Sequence, residues 1–199
     1  MSKNPTIGSV NDILVQISQL EVSNHNLLIH PDIEVFREIY SRYIKRQLED
    51  RKEVVPILPY YKTEDKVRRA LSASFMDIQE MGNDKISKYE KEGSLVIKDS
   101  IKVYSSSDNI VLSLIQGLVK RAENLAKNGV TVIADLGSFY HNNHLGDTQR
   151  LVDYELSLPS RYNDALKLKG LYIYHKEDFE KDLQKNKNKS YSSIMDKYS

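Results

Sequence analysis

The sequence contains no cysteine and no tryptophan, and the missing cysteines exclude several classes of function. Without a thiol the chain forms no disulfide, offers no thiolate nucleophile and holds neither an iron–sulfur cluster nor a cysteine-type zinc site. Charge of one sign is not in excess either: 29 Lys and Arg stand against 28 Asp and Glu, a formal net charge of +1. No global field therefore draws the chain to nucleic acid or to an anionic membrane.

Long apolar runs are missing as well. No stretch approaches the ~20 apolar residues that a bilayer crossing requires. Near the start, Asn11, Asp12, Gln16 and Ser18 interrupt the apolar residues, so this segment predicts a short amphipathic helix rather than a signal peptide. We therefore expect a cytoplasmic protein without membrane contact, in keeping with the reducing compartment that the absence of cysteine allows.

The residues that are present suit one folded domain. The length of 199 residues fits the roughly 100–200 residues of a single domain. With 40% hydrophobic residues, 13 Tyr and 4 Phe, the chain has the material for a core. We expect an N-terminal helical extension over 1–22, an α/β domain over 23–185 and a charged tail over 186–199.

Strand-like runs and helical spacing alternate along the chain. The helical pattern is clearest over 32–50 and 108–128, where apolar side chains recur every three or four residues. The β-branched run 130–134, which precedes Asp135, is typical of a strand buried on both faces of a parallel sheet. Further strands are predicted at 25–30, 53–61, 94–97 and within 166–175, and further helices from Thr63 to about 91, over 147–158 and from 177 onwards. This alternation predicts a three-layer α/β sandwich with a mainly parallel sheet of about five strands.

Local features refine these predictions. Pro56 and Pro59 lack an amide donor, which favours an edge position for the strand over 53–61. The run 101–104 predicts another short strand, or the end of a kinked one. Gly93 and the pair at 128–129 predict helix ends, a break is expected near Gly82, and 137–146 predicts a polar loop.

Four segments carry a resemblance to a known family: HNLLIHPDIEVFREIY, VVPILPYYKTEDKVRRAL, GVTVIADLGSF and LVDYELSLPSRYNDALKLKGLYIYHKEDF. Together they resemble the MEDS family, the sensory domains of methanogen and methylotroph regulators, which are related to KaiC/RecA-type ATPases. The resemblance covers about residues 24–185. It implies a sensor that binds a small organic ligand in signal transduction or gene regulation. Some members carry a separate DNA-binding segment, for which this sequence has no room, so we expect no direct contact with nucleic acid.

A nucleotide site of the RecA type needs the pattern G-x-x-x-x-G-K-[ST] after the first strand, because glycine amides wrap the phosphates and the lysine neutralises them. In this sequence the corresponding segment, 30–36, is HPDIEVF and has neither glycine nor lysine. Asp32 and Glu34 place negative charge where phosphate would lie at the helix N-terminus. We therefore predict no ATP hydrolysis and no cofactor.

Ligands of parallel α/β sheets bind beyond the carboxyl ends of the strands, and the residues predicted there are rich in tyrosine and histidine. The predicted ligand-binding residues at strand ends are His30, Tyr60, Tyr61, Lys62, Tyr104, Asp135, Ser138, Tyr140 and His175. Tyrosine rings supply apolar walls with a hydroxyl that orients a ligand. The alternative is that these tyrosines pack against helix ends, with their hydroxyls in water.

Two acidic residues also admit a catalytic interpretation. Asp135 stands where a Walker-B aspartate would hold Mg²⁺, but without a phosphate cradle it more simply caps the following turn. Glu155 resembles the acidic residue of the family's Tyr-Glu pattern; it joins the predicted ligand-binding residues, and it suits a general base, a cap or a partner of Arg161. His141 and His144 have a spacing that a metal accepts, whereas exposure on a polar loop explains them without one. We predict no catalytic residue and no metal site.

We therefore expect a non-catalytic sensory domain that binds a small organic ligand and passes the change to a partner regulatory protein. The glycine-flanked loop 137–147 is the natural mobile element. The alternative is a degenerate RecA-like scaffold for protein–protein interaction or oligomerisation that binds no small molecule. RecA relatives commonly form rings, but that assembly is coupled to nucleotide sites that this sequence lacks, so homo-oligomerisation is left open as one alternative.

Overall fold

A computed structural model describes residues 14–15, 17, 25–30, 33–75, 82–105, 108–141 and 167–178. Within these ranges the strands are β1 (His25–His30), β2 (Val55–Leu58), β3 (Leu95–Ile97), β4 (Val130–Asp135) and β5 (Leu168–His175). The helices are α1 (Ile33–Glu49), α2 (Glu64–Ser74), α3 (Gly82–Glu92), α4 (Ser100–Tyr104), α5 (Asp108–Asn124) and α6 (Gly137–His141).

The five strands form one sheet in the order β1-β5-β4-β2-β3, and each neighbouring pair is parallel. Parallel neighbours need crossover connections, which helices supply. β4 lies at the centre, between β2 and β5, and all six of its residues are buried. The predicted α/β fold with a parallel sheet of about five strands is thereby confirmed, together with the double-sided burial of 130–134.

Helices cover both faces of the sheet, and each face has its own core. On one face α1, α2 and α3 pack through side chains that include Ile39, Leu71 and Ile86. On the other face the helical core residues come from α4, α5 and α6, among them Val103 and Leu118. Burial of one such aliphatic side chain stabilises the fold by roughly 1.5–3 kcal/mol, so these two cores hold the three layers together.

The proline-bearing strand β2 lies inside the sheet, between β3 and β4, so the predicted edge position is wrong. The N–H of Val54 donates towards β4 at 2.9 Å, and the N–H of Val55 donates towards β3 at 2.7 Å. Because donors alternate between the two neighbours, the missing N–H of Pro56 faces β4. The β2–β4 ladder is interrupted at that point: it pairs at Val54 and resumes at Ile57. An interior strand therefore accommodates the proline by omitting one ladder bond.

Residues 101–104 belong to the short helix α4, so the predicted strand is wrong at this position. Asp99 caps the helix, and its carboxylate accepts from the N–H of Lys102 at 3.1 Å. The run contains residues that favour a strand locally. The cap and the burial of Val103 and Tyr104 in the core override that local preference.

Two helix ends are closed by residues in the left-handed backbone region. α3 ends at Gly93, as predicted, where φ is +77°. α5 ends at Asn124, four residues before the predicted end, because Ala126 turns the chain with a φ of +51°. The N–H groups of Ala126 and Lys127 bond back to the last turn at 3.0 and 2.8 Å, the Schellman pattern with alanine where glycine is usual.

The predicted polar loop over 137–146 begins as the helix α6 rather than as a loop. The rest of that loop, the helix predicted over 147–158 and Glu155 lie outside the described residues. The same holds for most of the N-terminal extension and for the tail beyond 178, although Ile17 is helical and buried. Within the described ranges, none of the helices combines the length and the apolar character that a bilayer crossing requires.

Candidate functional site

Asp135, the last residue of β4, joins two turns at the carboxyl end of the sheet. Its Oδ2 accepts from the backbone N–H groups of Tyr60 and Tyr61, each at 3.2 Å, and its Oδ1 accepts from the N–H of Gly137 at 3.0 Å. The two tyrosines follow β2, and Gly137 begins α6. One carboxylate, only 7% exposed, therefore ties the turn after β2 to the turn after β4.

The surroundings of Asp135 disfavour its negative charge. Burial raises the pKa of the Asp135 carboxyl to about 6, the three N–H donors oppose that rise, and the charge of Asp178 adds to it. The ion pairs found among the described residues do not include Asp135. Within that part of the chain, the carboxylate is held by neutral donors and has no basic partner.

Gly137 is required by the close approach of these two turns. A Cβ atom at this position would lie 2.5 Å from Cζ of Tyr61 and 2.7 Å from Cδ1 of Tyr60. Neither distance leaves room for two carbon atoms in contact. The absent side chain therefore lets α6 begin directly against the tyrosine rings.

Two histidines and Asp178 surround the side chain of Tyr61. The Tyr61 hydroxyl donates to Oδ2 of Asp178, and the same oxygen lies 2.7 Å from Nε2 of His141. The ring centroid of Tyr61 lies 6.0 Å from that of His141 and 5.9 Å from that of His175. Tyr60 stacks on His141 at 6.0 Å with an angle of 6° between the rings. Residues that follow β2, β4 and β5 thus form one contact network.

This network shifts the pKa values of Asp178 and of the Tyr61 hydroxyl. Burial by itself would raise the pKa of Asp178, but hydrogen bonds from Tyr61 and His141 hold that pKa below its ordinary value. Burial raises the pKa of the Tyr61 hydroxyl, and its hydrogen bond to Asp178 raises that pKa further, so Tyr61 remains a donor. The two carboxylates of the site therefore differ: the anion of Asp178 is stabilised by its neighbours, whereas the anion of Asp135 is destabilised by burial.

A cleft opens beside Asp135 on the face that α1 and α2 cover. Its floor is formed by Ile57, Ile133 and Ile173 of the neighbouring strands β2, β4 and β5. Tyr40 of α1 and Val67 of α2 contribute to its walls. The space inside the cleft that water can occupy is about 30 Å³, and the cleft opens to solvent. Its apolar lining suits the hydrocarbon part of a small molecule.

The polar groups of the cleft stand at the carboxyl ends of the strands. Asp135 and Lys62 lie in its lining, and so does Tyr61. Crevices at this position are where parallel α/β sheets bind their ligands, because the turns there are free to vary while the strands hold them in place. The arrangement offers an apolar compartment with a few groups able to orient a bound molecule.

Five of the predicted ligand-binding residues meet at this edge: Tyr60, Tyr61, Lys62, Asp135 and His175. Asp135 accepts hydrogen bonds from the N–H groups of Tyr60 and Tyr61, and the ring of Tyr61 contacts that of His175. The sequence prediction groups these five residues because each lies at or just after the end of a predicted strand, and in the structure they lie close together. Their role in ligand binding stays a prediction.

Three other predicted residues lie on α4 and α6, and the two tyrosines among them pack in the opposite core. Tyr104 is buried against Phe139, with ring centroids 4.9 Å apart. Tyr140 packs edge-on against Tyr174 at 6.2 Å, and Ser138 is fully buried. The strand-end tyrosines are therefore divided between the two faces of the sheet.

The remaining predicted residues are less fully described. His30 is the last residue of β1, and its side chain lies outside the described part of the structure. Glu155 and His144 also lie outside it. His141 is on α6, 45% exposed, and contacts Asp178. Among the described residues, no group of three His, Cys, Asp or Glu side chains is placed to hold a metal ion.

Sequence reasoning missed two residues of the site, Asp178 and Tyr40. Asp178 lies three residues beyond the end of β5, so a search extended by one helical turn past each strand would have found it. Tyr40 lies within α1, where its spacing assigns it to the core stripe. Its presence in the cleft depends on how α1 crosses the sheet, and no local pattern encodes that.

Comparison with models of protein families finds no match for this sequence, and comparison with curated proteins finds none either. Among solved structures, the chain is similar to a KaiC-like protein from the hyperthermophilic archaeon Pyrococcus horikoshii, with a TM-score of 0.50 and 13% sequence identity. The match covers 77% of this chain but 62% of the KaiC-like protein. At this identity the likeness shows the fold alone: the chain has a KaiC-like fold of the RecA type. The MEDS resemblance stays a prediction.

Proposed function

We propose that this chain is a non-catalytic sensory domain that binds a small organic ligand in the cleft beside Asp135 and signals to a partner protein. The observation that carries the proposal is an apolar cleft at the carboxyl ends of β2, β4 and β5, bordered by a buried carboxylate. A compartment of this kind favours a ligand that is largely apolar and oriented by few polar contacts.

The fold invites comparison with nucleotide-binding proteins, but the residues that nucleotide binding needs are not in the expected place. Only Pro31 and Asp32 separate β1 from α1 in the sequence, and no glycine or lysine occurs from His30 to Phe36. Phosphate binding in RecA-type sites depends on glycine amides and a lysine at this turn. Asp135, in the position of a magnesium-holding aspartate, instead accepts three backbone hydrogen bonds. This combination supports the part of the proposal that assigns no ATP hydrolysis to the chain.

The hydrogen bonds of Asp135 provide a route from the cleft to the protein surface. A ligand that contacts Asp135 changes the charge and the position of the carboxylate, and with them the hydrogen bonds from the N–H groups of Tyr60 and Tyr61. Movement of this turn shifts the Tyr61 side chain and its partners Asp178 and His141. A ligand changes the population of the two arrangements only if it binds them with different affinity, and a contact to Asp135 supplies that difference.

The resemblance to MEDS domains adds the finer part of the proposal. It suggests a role in signal transduction or gene regulation, carried out through a partner regulatory protein. The exposed His141, which belongs to the Asp178 network, gives such a partner a residue whose position depends on the cleft.

A thermal-shift screen of the purified chain tests this proposal. A ligand that binds the folded state alone, at a hundred times its Kd, adds about 2.7 kcal/mol of stability and raises the Tm by several degrees. We expect this from a small organic metabolite and not from ATP or ADP with Mg²⁺. Stabilisation by ATP or ADP would overturn the proposal, and silence across the whole panel would favour the scaffold alternative.

Two tyrosine variants locate the site once a ligand is found. Tyr61→Phe removes a hydroxyl at the cleft and releases Asp178, so the ligand-induced rise in Tm should shrink. Tyr140→Phe removes a hydroxyl on the opposite face and should leave the rise unchanged. Equal effects of the two variants would place the ligand elsewhere and contradict the assignment of the cleft.

A further inference from the structure

We infer that the cleft selects a small organic cation: an ammonium group carried on an apolar body. This inference rests on the proposed ligand-binding function and names the chemical class of the ligand. Two independent features carry it, namely the aliphatic composition of the cleft and the unbalanced charge at its border.

The aliphatic part of the cleft favours a hydrocarbon body. Three isoleucines from adjacent strands form the floor, and Val67 lies above them. Side chains of this kind offer no hydrogen bonds, so a polar ligand body would lose its water contacts without replacement. A branched alkyl group or a ring of similar size removes apolar surface from water and leaves the polar end of the ligand at the mouth.

The border of the cleft favours a cation. A carboxylate has about four acceptor positions, and Asp135 uses three of them for backbone N–H groups, two at Oδ2 and one at Oδ1. The Oδ1 atom therefore retains an acceptor position, and the described ion pairs do not supply Asp135 with a cation. An ammonium group donates a charge-assisted hydrogen bond to that position and neutralises the buried charge.

The charged groups near Asp135 also favour a positively charged ligand. Asp178 adds negative charge on the same edge, close enough to affect the ionisation of Asp135. The positive charge of His141 and His175 acts on Asp178, and Lys62 lies in the cleft lining. An anionic ligand at Asp135 would add to the repulsion between the two carboxylates, whereas an ammonium group relieves it. Because Lys62 is also present, the experiment includes an anion of the same shape.

The test uses calorimetric titration of the full chain with three series of probes. Each series shares one body, isopentyl, cyclohexyl or benzyl, and differs in its head group: ammonium, alcohol or carboxylate. We expect at least one ammonium to bind, and to bind at least about tenfold more tightly than the alcohol of the same body, because the buried hydrogen bond is charged. The matching carboxylate should bind more weakly than the alcohol.

Two variants and one direct readout locate the interaction. Asp135→Asn should reduce ammonium affinity at least about tenfold while alcohol affinity changes little. Glu177→Gln removes the same charge from an exposed residue at this edge and should leave both affinities unchanged. If Asp135→Asn does not fold, amide chemical shifts of the unmodified chain decide: ammonium binding should move the N–H signals of Tyr60, Tyr61 and Gly137, which bond to Asp135.

The outcomes separate this inference from the proposed function. The inference of a cationic ligand would be overturned if alcohols or carboxylates bound as tightly as the ammonium compounds. Ammonium binding without shifts at those three amides would overturn it too. Either result leaves the sensory proposal standing. If no ammonium binds although a neutral or anionic metabolite stabilises the chain, the inference alone fails. Silence in both screens removes the inference and the proposed function together.

Discussion

The sheet carries a buried carboxylate at each of its two ends, and their surroundings differ. At the amino end, Glu53 precedes β2; it accepts from the hydroxyl of Thr131, and its Oε1 lies 2.8 Å from Nζ of Lys169. At the carboxyl end, Asp135 follows β4 and accepts only backbone N–H groups from the described residues. Glu53 and Lys169 are each only 8% exposed, so both ends have removed their charges from water.

The difference shows which end has a balanced buried charge, and it supports the proposal that the other end binds a ligand. A buried anion with a cation at hydrogen-bond distance is balanced, and it needs no further partner. Tyr43 is buried near Glu53, and burial together with the charge of Glu53 raises the pKa of its hydroxyl, so it stays neutral. Asp135 has a cleft beside it, and none of the ion pairs among the described residues gives it a cation at salt-bridge distance. An incoming ligand can therefore complete the carboxyl end, whereas the amino end is already complete.

The largest effect is expected from breaking the balance at the amino end. Lys169→Met leaves Glu53 buried without its cation and should lower the free energy of unfolding by about 3–5 kcal/mol. Urea unfolding measures this loss. The double variant with Glu53→Gln removes both charges and should recover much of it. A loss below about 1 kcal/mol in the single variant would mean that the ion pair does not balance this end.

The charge of Asp135 should appear as a pH dependence of stability. Burial raises its folded-state pKa to about 6 from an ordinary 3.8, so the folded chain holds this proton more tightly than the unfolded chain. The resulting stability is present at low pH and is lost as pH rises from about 4 to about 6, by up to about 3 kcal/mol.

Comparison with Asp135→Asn isolates that contribution. The variant lacks the titrating group, so the wild type should lose stability relative to it as pH rises from about 4 to about 6 in urea unfolding experiments. Asp178 has a lowered pKa and contributes in the opposite direction, but it is present in both proteins and cancels in the difference. A difference that is flat, or that rises with pH, would show that Asp135 is not strained by burial.

A methyl group between the two turns should disturb the carboxyl end alone. Gly137→Ala places a Cβ atom 2.5 Å from the ring of Tyr61 and should lower the free energy of unfolding by about 1–3 kcal/mol. It should also weaken ligand binding, because Tyr61 lines the cleft. Gly117→Ala is the matched control: nothing lies within 4 Å of its Cβ on α5, so stability should rise by about 0.5–1 kcal/mol. Equal effects of the two would contradict a close contact at Gly137.

The smallest effect concerns the turn that leads into β4 from its amino end. Ala126 has a φ of +51°, and glycine adopts this region without the steric cost of a Cβ atom. Ala126→Gly should therefore stabilise the fold by about 0.5–1 kcal/mol and leave ligand affinity unchanged. Lys120→Gly, at an exposed position inside α5, should instead cost about 1 kcal/mol. Thermal unfolding distinguishes the two signs.

Local sequence patterns were sufficient to predict an element where its residues are compatible with only one local structure. The β-branched run of β4 has no polar face, so it is buried on both sides at the centre of the sheet. Thr63 caps α2, with its Oγ1 accepting from the N–H of Lys66 at 3.4 Å, and Gly93 ends α3. Alternation of strands with helices then determined the parallel α/β fold.

Local patterns failed where a neighbour in space decides the outcome. Pro56 by itself favours an edge strand, because it has no N–H to donate. Yet β2 lies inside the sheet, since the missing N–H of Pro56 coincides with an interruption of the β2–β4 ladder. The strand-like run at 101–104 became helix α4 because Asp99 caps it and the core accepts Val103.

The sequence by itself determined the fold class, the absence of a phosphate-binding pattern and the residues that follow each strand. It did not determine which of those residues meet. Tyr60 and Tyr61 reach Asp135 across the sheet, and Asp178 reaches Tyr61 from 117 positions away. Tyr104 and Tyr140 turn to the other face. Only the tertiary structure decides this, because strand order and helix crossing bring distant residues together, and hydrogen bonds and burial depend on those distances rather than on sequence spacing.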